Sequence, residues 1–263
     1  MPDFENGIKI VNLSFIYPDD SVMILKDINV AINSGEFVCI LGQSGCGKST
    51  LLRLLAGLEK PVTGEITVNS KPIKGASLDR GVVFQDYGLF PWLTAGENIK
   101  LALEQKFKNR PKNEYRERTL HALNQVGLNE SVYNKLPKAL SGGMKQRCAI
   151  AQAFAIEPSI LLMDEPFGAL DAVTRARLQD MLIELWKNQN PKKTIIFVTH
   201  DVDEAILLSN RIIVLGQSPS RIIHECRVPD TTREKQFEDL EMLKLRNELI
   251  RHINKDVASH TIL

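Results

Sequence analysis

One stretch restricts what this chain can fold into more than any other: Gly42-Gln43-Ser44-Gly45-Cys46-Gly47-Lys48-Ser49-Thr50. It satisfies the spacing G-x-x-x-x-G-K-[ST], in which glycines let successive backbone N–H groups converge on phosphate oxygens. The flanks agree with that reading. Residues 37–41 read FVCIL, a short apolar run suited to a buried strand, and LLRLLAGL after Thr50 places leucines at helical spacing. The stretch is therefore expected to be a strand–loop–helix turn whose donors lie at a helix N-terminus. Lys48 would bring positive charge to the β- and γ-phosphates, and Ser49 a hydroxyl to Mg²⁺.

Composition narrows the alternatives. The 263 residues carry 33 Lys and Arg against 32 Asp and Glu, which gives no basic footprint for nucleic acid or an anionic membrane. No apolar run approaches the ~18 residues that span a bilayer, and MPDFENGIKI lacks the charged and apolar regions of a secretory signal. Cys39, Cys46, Cys148 and Cys226 are scattered, without metal-ligand spacing, as in a reducing cytosol. Cys46 stands beside Lys48 at an expected helix N-terminus. Both features favour a thiolate, so the sequence predicts that Cys46 is the most reactive of the four.

Taken in order, residues 8–33 alternate as antiparallel strands, with Tyr17 at the end of the first, where its ring can stack on an adenine or simply fill a strand position. A further strand pair follows Val62-Thr63-Gly64. Residues 79–84 (DRGVVF) read as a strand ending at Gln85. An apolar stretch broken by Pro91 and Trp92 leads into a mainly helical segment. Leu140-Ser141-Gly142-Gly143 precedes another helix. Residues 160–163 (ILLM) run into Asp164 and Glu165, and residues 194–199 (TIIFVT) into His200, each as a buried parallel strand does. Helix–strand alternation returns only after residue 158. The expected fold is thus α/β: a phosphate-loop core with a mainly parallel sheet, an N-terminal antiparallel subdomain, and a helical insert at about 88–157. Residues 231–263 read as a helical tail with apolar positions from Phe237 to Ile253.

The strand ends share a chemistry. Parallel strands present their C-terminal ends on one edge, where ligands bind. Ser49 and Asp164 are hard oxygen donors suited to Mg²⁺, Gln85 can reach metal and water, Glu165 can accept the proton of an attacking water, and His200 can contact the γ-phosphate. Ser141, Gly142 and Gly143 ahead of a helix offer a second set of N–H donors. In a twofold dimer that second site can lie over the nucleotide of the other subunit.

Together, Gly42 to Ser49, Gln85, Leu140 to Gln146, Ile160 to Glu165, Ala169-Leu170-Asp171 and His200 resemble the Walker A, Q-loop, signature, Walker B, D-loop and switch motifs of ABC transporter ATPase subunits. The resemblance covers about residues 8–225. Within that family FQDYGLFPWLTAGENI, LSGGMKQR and DEPFGALD are similar to importer subunits for nitrate, sulfonate, taurine or bicarbonate. It implies ATP and Mg²⁺ as ligands, with Tyr17, the loop from Gly42 to Thr50, Ser141 to Gly143 and Asp171 contacting nucleotide. It further implies a homodimer or paired ATPase, separate membrane permease subunits received near Pro91 and Trp92, an external solute-binding protein, and a peripheral place on the cytoplasmic face of the membrane. An exporter ATPase and a soluble ABC ATPase of DNA repair or translation remain the alternatives. Lys138-Ala139, Gln152 and Asn210 depart from the common pattern, outside the hydrolytic set.

Overall fold

The longest apolar runs of the chain become its parallel strands. In this computed structural model, which describes residues 7–18, 21–229 and 240–261, the chain forms two compact units. One is drawn from residues up to Ser77 and from Thr194 onward, and the other is Leu78–Lys193.

In the first unit, β1 (Gly7–Ile16) pairs antiparallel with β2 (Met23–Asn33) and with β4 (Thr63–Val68), which carries the short β5 (Lys71–Pro72). Alternation buries Ile8 and Ile10, and an irregularity between Ile10 and Leu13, where Asn12 has φ of 49°, shifts the phase so that Leu13 and Phe15 are buried in turn. This is the expected antiparallel subdomain, widened by the strand pair after Val62. The second sheet segment centres on β3 (Phe37–Leu41). All five of its side chains are buried, between β8 (Thr194–Thr199) and β9 (Arg211–Leu215), both parallel to it. Strand β10 (Ile222–Arg227) closes the edge antiparallel to β9. Burying each such Leu, Ile or Phe is worth ~1.5–3 kcal/mol, which is why these strands read as unbroken apolar runs. Asn210 has a structural task here: its Oδ1 accepts from the Phe37 N–H at 2.9 Å, fixing where β3 starts.

Helix α1 (Lys48–Ala56) buries Leu51, Leu52, Leu54 and Leu55 and stops at Gly57, whose φ of 79° is open to glycine. The tail forms a helix, Leu240–Thr261 (α7 in chain order), packed on β10 and on α6 (Val202–Leu208). Met242 and Leu249 are its buried anchors. Arg246 bonds Asp203 at 2.7 Å, and Asp256 accepts from the Gln217 N–H at 2.7 Å. Phe237 and the expected boundary at residue 230 lie outside the described residues.

In the second unit β6 (Arg80–Val83) pairs in parallel with β7 (Ile160–Asp164), with Val83 opposite Met163. Helices α2 (Ala95–Lys106), α3 (Lys112–Gln125) and α4 (Gly142–Ala155) pack on one another, and α5 (Ala172–Lys187) follows β7. Thr94 and Glu97 form a capping box that starts α2. The unit is broader than the helical insert expected at 88–157, because it also contains β6, β7 and α5. The Gln152 Oε1 is buried without a hydrogen-bond partner, so that departure from the common pattern carries a local cost. Among the described residues no helix is long and apolar enough to cross a membrane.

Candidate nucleotide site

The phosphate loop is built from below. A Cβ on Gly42 would lie 2.6 Å from Cys46 Sγ and 2.9 Å from the Leu215 carbonyl oxygen, so only glycine lets the loop turn over the end of β3. At Gly47, φ is 94° and a Cβ would meet Ile24 and Leu25 at 2.9 Å. The loop thus sits directly on the antiparallel sheet. Ser220, fully buried against the loop, donates its hydroxyl to the Cys46 carbonyl. Helix α1 begins with no side-chain cap on its N-terminal N–H groups and no acid in its first turn, an arrangement that favours an anion. Lys48 is 4% exposed, and its Nζ donates to the carbonyls of Gly42 at 3.0 Å and Gln43 at 2.9 Å. Its own loop therefore holds the ammonium at the site.

Tyr17 is placed by the same unit. Its hydroxyl lies 3.1 Å from Thr50 Oγ1, and its ring meets Phe15 edge-on at 4.8 Å. His200 is exposed directly after β8. The turn beneath it is rigid: the Asp201 N–H donates to Thr199 Oγ1 at 3.1 Å, and the Asp201 carboxylate caps α6. Gly42, Gln43, Ser44 and His200 line one cavity of about 450 Å³, closed on its other side by Ile250 and Ile253 of α7.

Cys46 corrects an expectation. It is 3% exposed, and burial pushes its thiol up by more than the Lys48 charge pulls it down. The loop thiol is not activated. Cys39 and Cys148 are likewise buried, and burial pushes both thiols up. Only Cys226 is partly accessible. A maleimide should therefore label Cys226 first, and ATP should give it no protection. Peptide mapping that found Cys46 modified first would restore the loop thiol to the reactive role.

In the second unit, the paired ends of β6 and β7 bring up Gln85, Asp164 and Glu165. Glu165 has φ of 43°, a left-handed conformation that a non-glycine residue adopts at a cost of order 1–3 kcal/mol. The turn after it is closed by the Gly168 N–H on the Glu165 carbonyl at 3.2 Å. Strand β6 ends at Val83 rather than Phe84, so Gln85 lies in a turn, which the Tyr87 N–H on the Phe84 carbonyl closes at 3.1 Å.

The signature differs in detail from its sequence reading. Gly142 and Gly143 do not precede α4 but form its first turn, with Ser141 as N-cap accepting from the Met144 N–H at 3.3 Å. Glycine is needed because α4 starts against α5: a Cβ on Gly143 would lie 2.6 Å from Thr174 Cγ2. Asp171 is exposed and caps α5, accepting from the Thr174 N–H at 3.0 Å, a bond that holds its carboxyl below the usual range.

Pro91 and Trp92 are exposed, Trp92 by 70%, with the Phe90 ring centred 5.3 Å away. Sequence reasoning missed what presents them. Asn98 is fully buried, accepts from the Phe90 N–H at 2.8 Å, and donates to the carbonyls of Phe90, Leu93 and Thr94. A buried amide ties the loop down so that the aromatics face outward. The only signal was an asparagine on the core face of an amphipathic helix. A larger cavity, about 580 Å³, is lined by Glu114, Arg118, His121 and Glu157. It is an ion-paired groove, with Arg118 bonded to both glutamates, and carries none of this chemistry.

Residues 25–168 match the ABC transporter family. This chain is a member of that family. It is 41% identical to the nitrate import ATP-binding protein NrtD of Synechococcus elongatus over 91% of this chain and 88% of that one. It is also 41% identical to the bicarbonate transport ATP-binding protein CmpD of Synechocystis sp., over 91% of this chain and 86% of that one. A dimeric ATP-binding cassette solved in a post-hydrolysis state with ADP and Pi superposes with a TM-score of 0.74 at 35% identity, covering 84% of this chain and 99% of that one. The protein is an ABC ATPase: it binds ATP and hydrolyses it.

Proposed function

We propose that this ABC ATPase drives import of a small oxyanion of the nitrate or bicarbonate class through separate membrane subunits. The observation that carries the reading is the similarity, along nine-tenths of the chain, to subunits named for nitrate import and bicarbonate transport. The exposed Phe90–Trp92 pair supports it. An aromatic patch held rigid by Asn98 is a surface for a partner, here the permease. The cassette would then sit at the cytoplasmic face of the membrane, with an external binding protein delivering the solute to the permease.

The donor set fits Mg²⁺, because Ser49, Gln85 and Asp164 all offer hard oxygens. When bound, the ion would neutralise charge on the β- and γ-phosphates. Lys48 and the N–H groups of the loop hold the phosphates. Tyr17 flanks the adenine, Glu165 takes the proton of the attacking water, and His200 orients that water or the γ-phosphate. Ser141, Gly142 and Gly143 offer N–H donors to the nucleotide of a second copy, and Asp171 lies beside them at the start of α5. Two copies would close over two ATP molecules.

The test is transport in vesicles holding the cassette with the membrane subunits it captures and their binding protein. ATP on the cassette's side should drive labelled nitrate or bicarbonate inward, and Trp92→Ser should abolish both capture and uptake while leaving the ATPase of the isolated cassette intact. ATP-driven efflux, or full coupling in Trp92→Ser, would overturn the reading.

A further inference from the structure

His224 on β10 and Glu248 and His252 on α7 meet away from the nucleotide site. Their ligating atoms all lie within 4.8 Å of one another. The two imidazoles are stacked, with centroids 3.9 Å apart and planes 13° apart. His224 Nε2 lies 3.4 Å from Glu248 Oε1, yet it is buried and makes no hydrogen bond. Glu248 and His252 are four residues apart, which puts both on one face of the helix.

These features fit poorly with simple packing. A buried ring nitrogen without a partner costs ~1–3 kcal/mol, and stacked imidazoles cannot both carry charge without repulsion. Burial and His252 both hold the His224 pKa below its usual value. A cation of the zinc class removes the difficulty. With bonds of about 2.0–2.1 Å in a tetrahedron, its donors stand roughly 3.3 Å apart, close to the 3.4 Å His224–Glu248 separation. Because an ion lies in the plane of each ring that binds it, His252 must turn out of the stack to join them.

We propose that His224, Glu248 and His252 form a binding site for a divalent transition ion of the zinc class, which clamps α7 to β10. Two imidazoles and one carboxylate suit Zn²⁺, Co²⁺ or Ni²⁺ rather than Mg²⁺, which prefers oxygen ligands and keeps its waters. Three protein ligands leave a fourth position for water. The clamp would bear on the nucleotide site through α7 itself, since Ile250 and Ile253, on the turns around His252, line the cavity beside Gly42 and Ser44.

The full chain, stripped with a chelator and free of nucleotide, is titrated with Zn²⁺ by calorimetry and with Co²⁺ by visible absorption. One ion should bind per chain, unaffected by millimolar Mg²⁺, and hydrogen exchange within α7 should slow. His224→Gln and His252→Gln should each weaken binding by at least the ~10–100-fold that loss of an outer-shell partner costs. Glu248→Gln, on the more exposed position, gives the same reading should a histidine variant fail to fold. No saturable Zn²⁺ binding, or binding unchanged in the variants, would overturn the site.

Discussion

Replacing Glu165 by Gln should stop turnover while leaving ATP bound. The substitution keeps the size of the side chain and removes its ability to accept a proton. Loss of one positioned base typically costs ~10²–10⁴ in rate. The position itself supports the assignment: Glu165 follows the last residue of β7 with φ of 43°, where an unselected chain would use Gly or Asn. The residues expected to hold the phosphates, Gly42 to Thr50, are untouched, so ATP affinity measured by filter binding should stay within a few-fold of wild type. With hydrolysis blocked, ATP should also shift the chain towards a dimer in size-exclusion chromatography. A Glu165→Gln protein that turns over at near the wild-type rate would remove Glu165 from the role of base.

Arg211→Met should lower stability by about 3 kcal/mol, the low end of the ~3–5 kcal/mol for removing one partner of a buried pair. Arg211 sits at the start of β9. Its Nη1 donates to the Ala31 carbonyl at 2.6 Å and to Glu36 Oε2 at 3.1 Å, and its Nε to Glu225 Oε1 at 2.9 Å. The Arg211 and Glu36 side chains are 10% and 12% exposed, so water cannot replace the guanidinium. Glu36 would retain Asn33, which donates through its backbone N–H at 3.0 Å and its Nδ2 at 2.8 Å, and that keeps the loss at the low end. Methionine preserves packing volume, so the effect reports loss of the buried guanidinium from Glu36, whose Oε1 keeps, among the described residues, only the exposed Arg227 Nη2 at 3.8 Å as a charged partner. At ~2–4 °C per kcal/mol for a chain of this size, Tm should fall by roughly 6–12 °C. The double variant Glu36→Gln with Arg211→Met should recover most of it. A single variant that melts with the wild type, or a double variant no better than the single, would show that the pair is not the cause.

Much of this protein was legible before folding. The loop from Gly42 to Thr50 could be read because its constraint is local: glycines are demanded by dihedral angles and by contacts within a few residues. Strands β3, β7, β8 and β9 could be read because a strand buried on both faces has no polar alternation to hide. That Glu165 directly follows β7 and His200 directly follows β8 could be read because each closes an unbroken apolar run.

What only the tertiary structure decided depends on which distant segments meet. Cys46 shows the division most clearly. The positive surroundings of its thiol, Lys48 and a helix start, are neighbours in sequence, whereas the burial that outweighs them comes from the loop folded around it and from Ser220, 174 residues away. Arg211 and Glu36 are 175 residues apart, and neither position announces a buried ion pair. Asn98 looked like one polar residue in a helix until the loop it ties was in place. The apolar spacing of the tail foretold a helix, but not that it would dock on β10 and line the phosphate-loop cavity. Backbone preference and apolar periodicity are written within a few residues. Desolvation and long-range hydrogen bonding are properties of the assembled chain, and they decide which groups are charged, reactive or held still.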